Sequence, residues 1–196
     1  MQSINEITRY LKTNLSEKRF LHTLGVAETA EALAKRWGAD CFKAFLAGLV
    51  HDCAKELPFD KTLNFLEESG YRITWLEESA PGILHAPLGA VLAKKLFGIE
   101  DESILDAIKY HTTGRENMTI LEKIVYIADF IEPGREYSES KEVKKLADID
   151  LDRAALMETD FVIKFTIDRG RTLHPDTIKT RNYLLRVIKE GKQNES

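Results

Sequence analysis

His51 and Asp52 stand side by side at the end of the apolar run Phe45-Leu46-Ala47-Gly48-Leu49-Val50, and Lys55 follows three residues later. An imidazole nitrogen and a carboxylate oxygen, adjacent at the end of a rigid element, suit a borderline divalent metal. Neighbours on a helix point about 100° apart, so they share an ion that sits beside the helix end, or a turn that tightens there. Alone, the dipeptide is a weak signal, and further ligands must come from elsewhere. The chain has five histidines. His22 lies one turn into a helical pattern, three residues after Arg19, and that spacing puts both on one side. His85 comes just before Pro87, His111 just before Thr112 and His174 just before Pro175. All but His22 thus fall at or beside an element end, where side chains can converge on a cavity.

Each histidine alone has an ordinary reading as a packed or capping residue, and His111 could simply offset a helix dipole. The joint pattern is more informative. A helical His, a His-Asp pair and a carboxylate on a later helix can give one ion four protein ligands: His22, His51, Asp52 and Asp129. Asp129 ends the stretch Ile124-Val125-Tyr126-Ile127-Ala128-Asp129, where a carboxylate is costly without a cation or donor. Pairing with Lys123 or Arg135 is its alternative. Such nitrogen and oxygen ligands suit iron, manganese, zinc or cobalt alike. Cys53, next to the dyad, reads either as a reactive thiol or as a small buried residue.

The elements that must position these residues read as helices almost throughout. Ser3 and Glu6, Thr74 and Glu77, and Thr119 and Glu122 have capping-box spacing. Ser16 and Asp40 are further helix starts, with Gly38 a stop between them. Pro58 and Asp60 begin a fourth helix, which Gly70 closes. The spacing predicts a loop over 80–87, a helix from Leu88 to Phe97, and another running through Ile104, Leu105, Ile108 and His111. The tract Arg135–Lys145 is charged and reads as a surface loop with a helical turn. Two final helices are expected at Leu151–Asp168 and Pro175–Lys189, and Gly191–Ser196 as a flexible polar tail. No strand alternation persists, so the expected fold is all-α, in one domain spanning 1–196.

Composition excludes several classes. The net charge is −4 with both signs interspersed, so nothing argues for a nucleic-acid duplex or a membrane surface as partner. No apolar stretch is long enough to cross a bilayer, and the first residues lack a signal-peptide layout. With two cysteines and no paired metal motif, the expected setting is the cytoplasm. No Gly-x-x-x-x-Gly-Lys-Ser/Thr or Gly-x-Gly-x-x-Gly turn occurs, which tells against P-loop and dinucleotide enzymes. Exposed apolar helix faces would be compatible with a homodimer.

The order His … His-Asp … Asp on successive helices resembles the HD-domain metal-dependent phosphohydrolases. Fuller blocks point to one branch: Lys18-Arg19-Phe20-Leu21-His22, Gly48-Leu49-Val50-His51-Asp52-Cys53-Ala54-Lys55, Leu84-His85-Ala86-Pro87, Tyr110-His111-Thr112-Thr113-Gly114, and Tyr126 through Arg135. These, with Thr172-Leu173-His174-Pro175, resemble the YqeK family of symmetrical bis(5′-nucleosyl)-tetraphosphatases. The resemblance implies an HD-domain helical bundle with iron held by His22, His51, Asp52 and Asp129. It implies that Lys55, His85, His111, Thr112 and Arg135 face the nucleotide, and that Thr172, Leu173, His174 and Pro175 meet its base or ribose. In binuclear HD enzymes the residues matching His85 and His111 hold a second ion, which would make one or two ions here.

Lys55 and Arg135 would then neutralise phosphate charge rather than sit as solvated surface cations. His111 or His85 would bind a phosphate oxygen or protonate the departing diphosphate. The expected activity is symmetrical hydrolysis of diadenosine tetraphosphate to two ADP, with His51, Asp52, Lys55 and His111 as the catalytic set. The competing expectations are an HD-type phosphohydrolase for a nucleoside mono- or triphosphate, and a nucleotide-binding module without turnover.

Overall fold

Ser3, Ser16, Asp40, Thr74, Asp101, Thr119 and Asp150 each accept a backbone N–H two or three residues on, and each begins a helix. The three expected capping boxes form, at Ser3–Glu6, Thr74–Glu77 and Thr119–Glu122. The computed structural model describes the backbone of residues 1–194 and the side chains of residues 1–191. Its helices are α1 (Ile4–Asn14), α2 (Glu17–Trp37), α3 (Cys41–Val50), α4 (Phe59–Glu68), α5 (Trp75–Ser79), α6 (His85–Phe97), α7 (Glu102–Lys109), α8 (Ile120–Ile131), α9 (Ser138–Ala147), α10 (Leu151–Asp168) and α11 (Pro175–Asn194). A 3₁₀ turn, Pro81–Ile83, precedes α6. Among the described residues there is no strand, as the sequence pattern leads one to expect, and no helix is long and apolar enough to cross a membrane.

The core lies between α2, α3, α7 and α8. α2 and α3 make the most extensive contact, through small residues: Ala27, Ala30 and Ala34 on one, Ala44, Ala47 and Gly48 on the other, all fully buried. At Gly48 the two backbones come close, since an added Cβ would stand 2.9 Å from the Cα of Ala27. Gly48→Ala should therefore force the two helices apart three residues before His51. We expect a loss of about 1–3 kcal/mol in urea unfolding, typical of an overpacked core.

Four elements differ from the sequence expectation. α6 begins at His85, three residues before Leu88, because the 3₁₀ turn at Pro81–Ile83 feeds straight into it. α7 stops at Lys109, so His111 lies beyond the helix in a turn; Gly114, at φ 63°, donates back to the Tyr110 carbonyl at 2.9 Å. The charged tract Arg135–Lys145, expected as a surface loop with a helical turn, holds most of helix α9, which runs on to Ala147 and buries Ser140, Val143 and Ala147 along one line. α11 continues past Lys189 to Asn194, so helical backbone covers the start of the expected tail, and Glu195 and Ser196 lie outside the described residues.

Candidate metal centre and active site

Directly after α3 the chain tightens. The N–H of Cys53 bonds the carbonyl of Val50, that of Lys55 bonds Asp52, and that of Leu57 bonds Ala54, each three residues back. This turn lets His51 and Asp52 face one cavity, with Asp52 Oδ2 3.4 Å from His51 Nε2. α2 brings His22, α8 brings Asp129, the start of α6 brings His85, and the turn after α7 brings His111.

Three of these histidines are wired in the same way. Nδ1 of His51, His85 and His111 lies 2.7 Å from the carbonyl oxygens of Gly48, Gly82 and Ile108, each three residues earlier. A carbonyl only accepts, so Nδ1 carries the proton and Nε2 presents a lone pair. His22 is fixed differently: its Nδ1 lies 3.1 Å from Glu132 Oε1, with the same consequence for Nε2. Four lone pairs thus point into one place, together with the carboxylates of Asp52 and Asp129.

The distances show how crowded this place is with acceptors. His22 Nε2 is 3.1 Å from Asp129 Oδ1 and 3.7 Å from Asp52 Oδ2. His85 Nε2 is 3.1 Å from both Asp52 Oδ1 and His111 Nε2. Asp52 straddles the cluster, its Oδ2 toward His22 and His51 and its Oδ1 toward His85 and His111. Among the described residues, His22 Nε2, His51 Nε2 and Asp52 Oδ1 are buried with no hydrogen-bond partner. Buried lone pairs facing one another are costly unless a proton or a cation lies between them. Two sets, His22–His51–Asp129 and His51–Asp52–His111, each keep their ligand atoms within 4.8 Å of one another. The donor chemistry and the orphaned atoms both fit a divalent metal.

Electrostatics follow the same geometry. Burial would raise the Asp52 carboxyl, but His51, with hydrogen bonds to His111 and His85, holds it well below the usual range. Burial likewise opposes ionisation of Asp129, and His22 and His51 override it, driving that carboxyl far down. His51 is raised despite its burial, by Asp52 and Asp129. His85 is pushed down to about 4, by burial first and by the neighbouring Lys55 next, although Asp52 pulls the other way. Burial also lowers Lys55, against the attraction of Asp52 and Asp129. Cys53 goes up to about 12 through burial and the adjacent Asp52, so it is a packed residue and no reactive thiol.

Cations ring the cluster. Arg19 Nη1 donates to Asp52 Oδ2 at 2.6 Å, matching its expected place beside the site. Arg135 Nη2 donates to Asp129 Oδ1 at 2.9 Å, and its Nε to the Asp129 carbonyl at 3.1 Å. Lys123, the other candidate partner of Asp129, is occupied with Asp152. Lys55 Nζ lies 3.1 Å from His85 Nε2. Beside the His111 turn, a cleft is lined by Tyr71, Glu77, Pro87, Tyr110, Thr112 and His174. Of the 172–175 segment, His174 lines this cleft; Leu173 is half-buried, and Thr172 and Pro175 are exposed.

The sequence reading gave no role to Glu132. It is 5% exposed, and its carboxylate reaches both His22 Nδ1 and the N–H of Gly134, the latter at 2.6 Å. The available signal was its place three residues after Asp129, between Ile131 and Pro133, where an unpaired carboxylate would be out of place.

Known proteins resemble this chain over most of its length. A family model described as the HD domain matches residues 19–134. The symmetrical bis(5′-nucleosyl)-tetraphosphatase of Bacillus subtilis is 41% identical over 175 residues, 89% of this chain and 94% of that protein. The protein of the same name from Staphylococcus aureus is 37% identical over 183 residues, 92% of this chain and 94% of that one. The crystal structure of a "predicted HD superfamily hydrolase involved in NAD metabolism" from Clostridium acetobutylicum superposes with a TM-score of 0.93 at 51% identity, covering 95% of this chain and 98% of that one. The chain belongs to the HD-domain family, in the group that holds the symmetrical bis(5′-nucleosyl)-tetraphosphatases of Bacillus and Staphylococcus.

Proposed function

We propose that this protein hydrolyses diadenosine tetraphosphate at its central bridge, releasing two ADP, with a divalent metal held by His22, His51, Asp52 and Asp129. The observation that carries the reading is the gathering of four imidazoles and two carboxylates into one cluster with two overlapping ligand sets, in a chain so similar to proteins named for this reaction. Iron is the ion we assign, and manganese or cobalt would fit the same donors. The metal, when bound, would bring the pKa of a coordinated water from about 15.7 to about 7 and neutralise phosphate charge.

The protein's own residues do the rest. The protonated Nδ1 atoms hold every imidazole rigid, with Nε2 turned inward. Arg135 and Arg19, each already on a site carboxylate, lie where they can donate to phosphate oxygens, Arg135 with a two-pronged grip. Burial and the neighbouring Lys55 favour neutral His85, and with its Nδ1–H on the Gly82 carbonyl its Nε2 is the accepting side. Lys55, 3.1 Å away, is the proton-bearing group on that side, and its lowered pKa suits it to donate to the leaving phosphate oxygen. Thr112 and His174 line a small cleft beside the His111 turn, where Tyr71 and Tyr110 would offer aromatic surface to a base lying over its mouth.

The test is to incubate the full chain with diadenosine tetraphosphate and ferrous iron or manganese, then separate the products. ADP alone is expected, whereas AMP with ATP, or no turnover with either metal, rules the assignment out. Arg135→Ala should raise KM for the dinucleotide about 10–100-fold, the worth of a charge-assisted hydrogen bond. Its metal content should stay unchanged, as steady-state kinetics and elemental analysis would show.

A further inference from the structure

The imidazole of His22 is held by a carboxylate, whereas the other three in the cluster are held by backbone carbonyls. A carbonyl is the cheaper partner, because it brings no charge into a buried region that already contains Asp52 and Asp129. Glu132 is nevertheless built in with care. It ends α8, leaving the helix at ψ 156°, and its backbone carbonyl accepts from the Arg135 N–H at 2.8 Å. Its Oε2 takes the Gly134 N–H, and its Oε1 lies 3.1 Å from His22 Nδ1, with Arg135 Nε further off at 3.8 Å. On α2, Gly25 lies one turn after His22, on the same side. A Cβ added to Gly25 would stand 2.7 Å from Glu132 Oε2. The absent side chain is the space the carboxylate occupies.

We propose that Glu132 is the positioning residue of the metal centre: it fixes the orientation of His22 and, through its charge, strengthens His22 Nε2 as a ligand, in a slot that Gly25 keeps open. This rests on the reading of His22 as a metal ligand. A carboxylate on the far nitrogen of a metal-bound imidazole makes the ligand more basic as well as orienting it, and its loss typically lowers metal affinity 10–100-fold. A purely structural Glu132 would need neither the imidazole nor the empty slot on α2, since the Gly134 N–H, the Arg135 guanidinium and the α8 terminus would suffice.

The test titrates the metal-free, full-length chain with Co²⁺ against a competing chelator, following the visible absorption that reports the ion's ligands and geometry. Glu132→Gln, which keeps size and removes charge, should weaken Co²⁺ binding 10–100-fold and alter the spectrum, while the melting temperature of the metal-free protein stays at the wild-type value. Gly25→Ala, which keeps the carboxylate and crowds it, should weaken binding in the same sense. The double variant should be no weaker than Glu132→Gln, because both act through one contact. Wild-type affinity and spectrum in Glu132→Gln overturn the proposal. His22→Ala separates the two layers. If it too binds Co²⁺ normally, the ligand assignment fails; if it loses the ion while Glu132→Gln does not, the role of Glu132 alone fails. Should Glu132→Gln not fold, Gly25→Ala decides: a tenfold or larger loss supports the proposal, and unchanged affinity overturns it.

Discussion

Asp52→Ala is expected to remove bound metal and turnover together, with the rate of ADP release falling about a thousandfold or more. The size of the effect follows from the chemistry a divalent ion supplies, which no side chain here replaces at neutral pH. It also follows from geometry. One oxygen of Asp52 faces His22 and His51 and the other faces His85 and His111, so its loss opens both sides of the cluster at once. It would also leave Arg19 without the carboxylate it grips at 2.6 Å. Elemental analysis of the purified variant beside the assay checks the prediction. Full metal content with a wild-type rate would show that Asp52 is no ligand. Asp52→Asn should share most of the loss, since it keeps the shape and withdraws the charge.

Stripping the metal with a chelator should lower the melting temperature by about 5–10 °C and abolish hydrolysis, and manganese or ferrous iron should restore both. The reason is that the folded chain holds buried acceptors against one another without enough protons between them: His85 Nε2 meets His111 Nε2 and Asp52 Oδ1, each at 3.1 Å. A cation present at a hundred times its dissociation constant stabilises the native state by about 2.7 kcal/mol. At roughly 2–4 °C per kcal/mol for a chain of this size, that gives the predicted shift. Calorimetry with and without chelator measures it directly. An unchanged midpoint would mean that the cluster gains nothing from a metal.

Much of this was legible in the sequence because the relevant physics is local. Capping residues announce helix starts within four residues, and Ser3, Ser16, Asp40, Thr74 and Thr119 all cap as expected. The end of α3 was legible too, since the apolar run stops at the dyad. α9 escaped because its buried line is narrow, made of Ser140, Val143 and Ala147 amid Glu139, Lys141, Glu142, Lys144 and Lys145. Only a tertiary partner reveals it: Trp37 Nε1 donates to the Ala147 carbonyl across the fold at 2.9 Å. The end of α7 was set two residues too late because periodicity carried through His111, while the Gly114 turn decided otherwise. Glu132 carried no motif of its own, and its meaning depends on what α2 places opposite it.

The wiring of the four imidazoles has a further consequence for how the ion is captured as the chain folds. Three are tethered within segments of four residues, 48–51, 82–85 and 108–111, which can re-form in a largely disordered chain. The fourth tether joins residues 110 apart in sequence. Closing a loop of that length costs on the order of 4 kcal/mol of chain entropy. A nascent or denatured polypeptide can therefore present preformed fragments of the site but cannot complete it until α2 has docked on α8. Retention of a divalent ion would then report on finished folding, and the denatured chain would compete poorly for it.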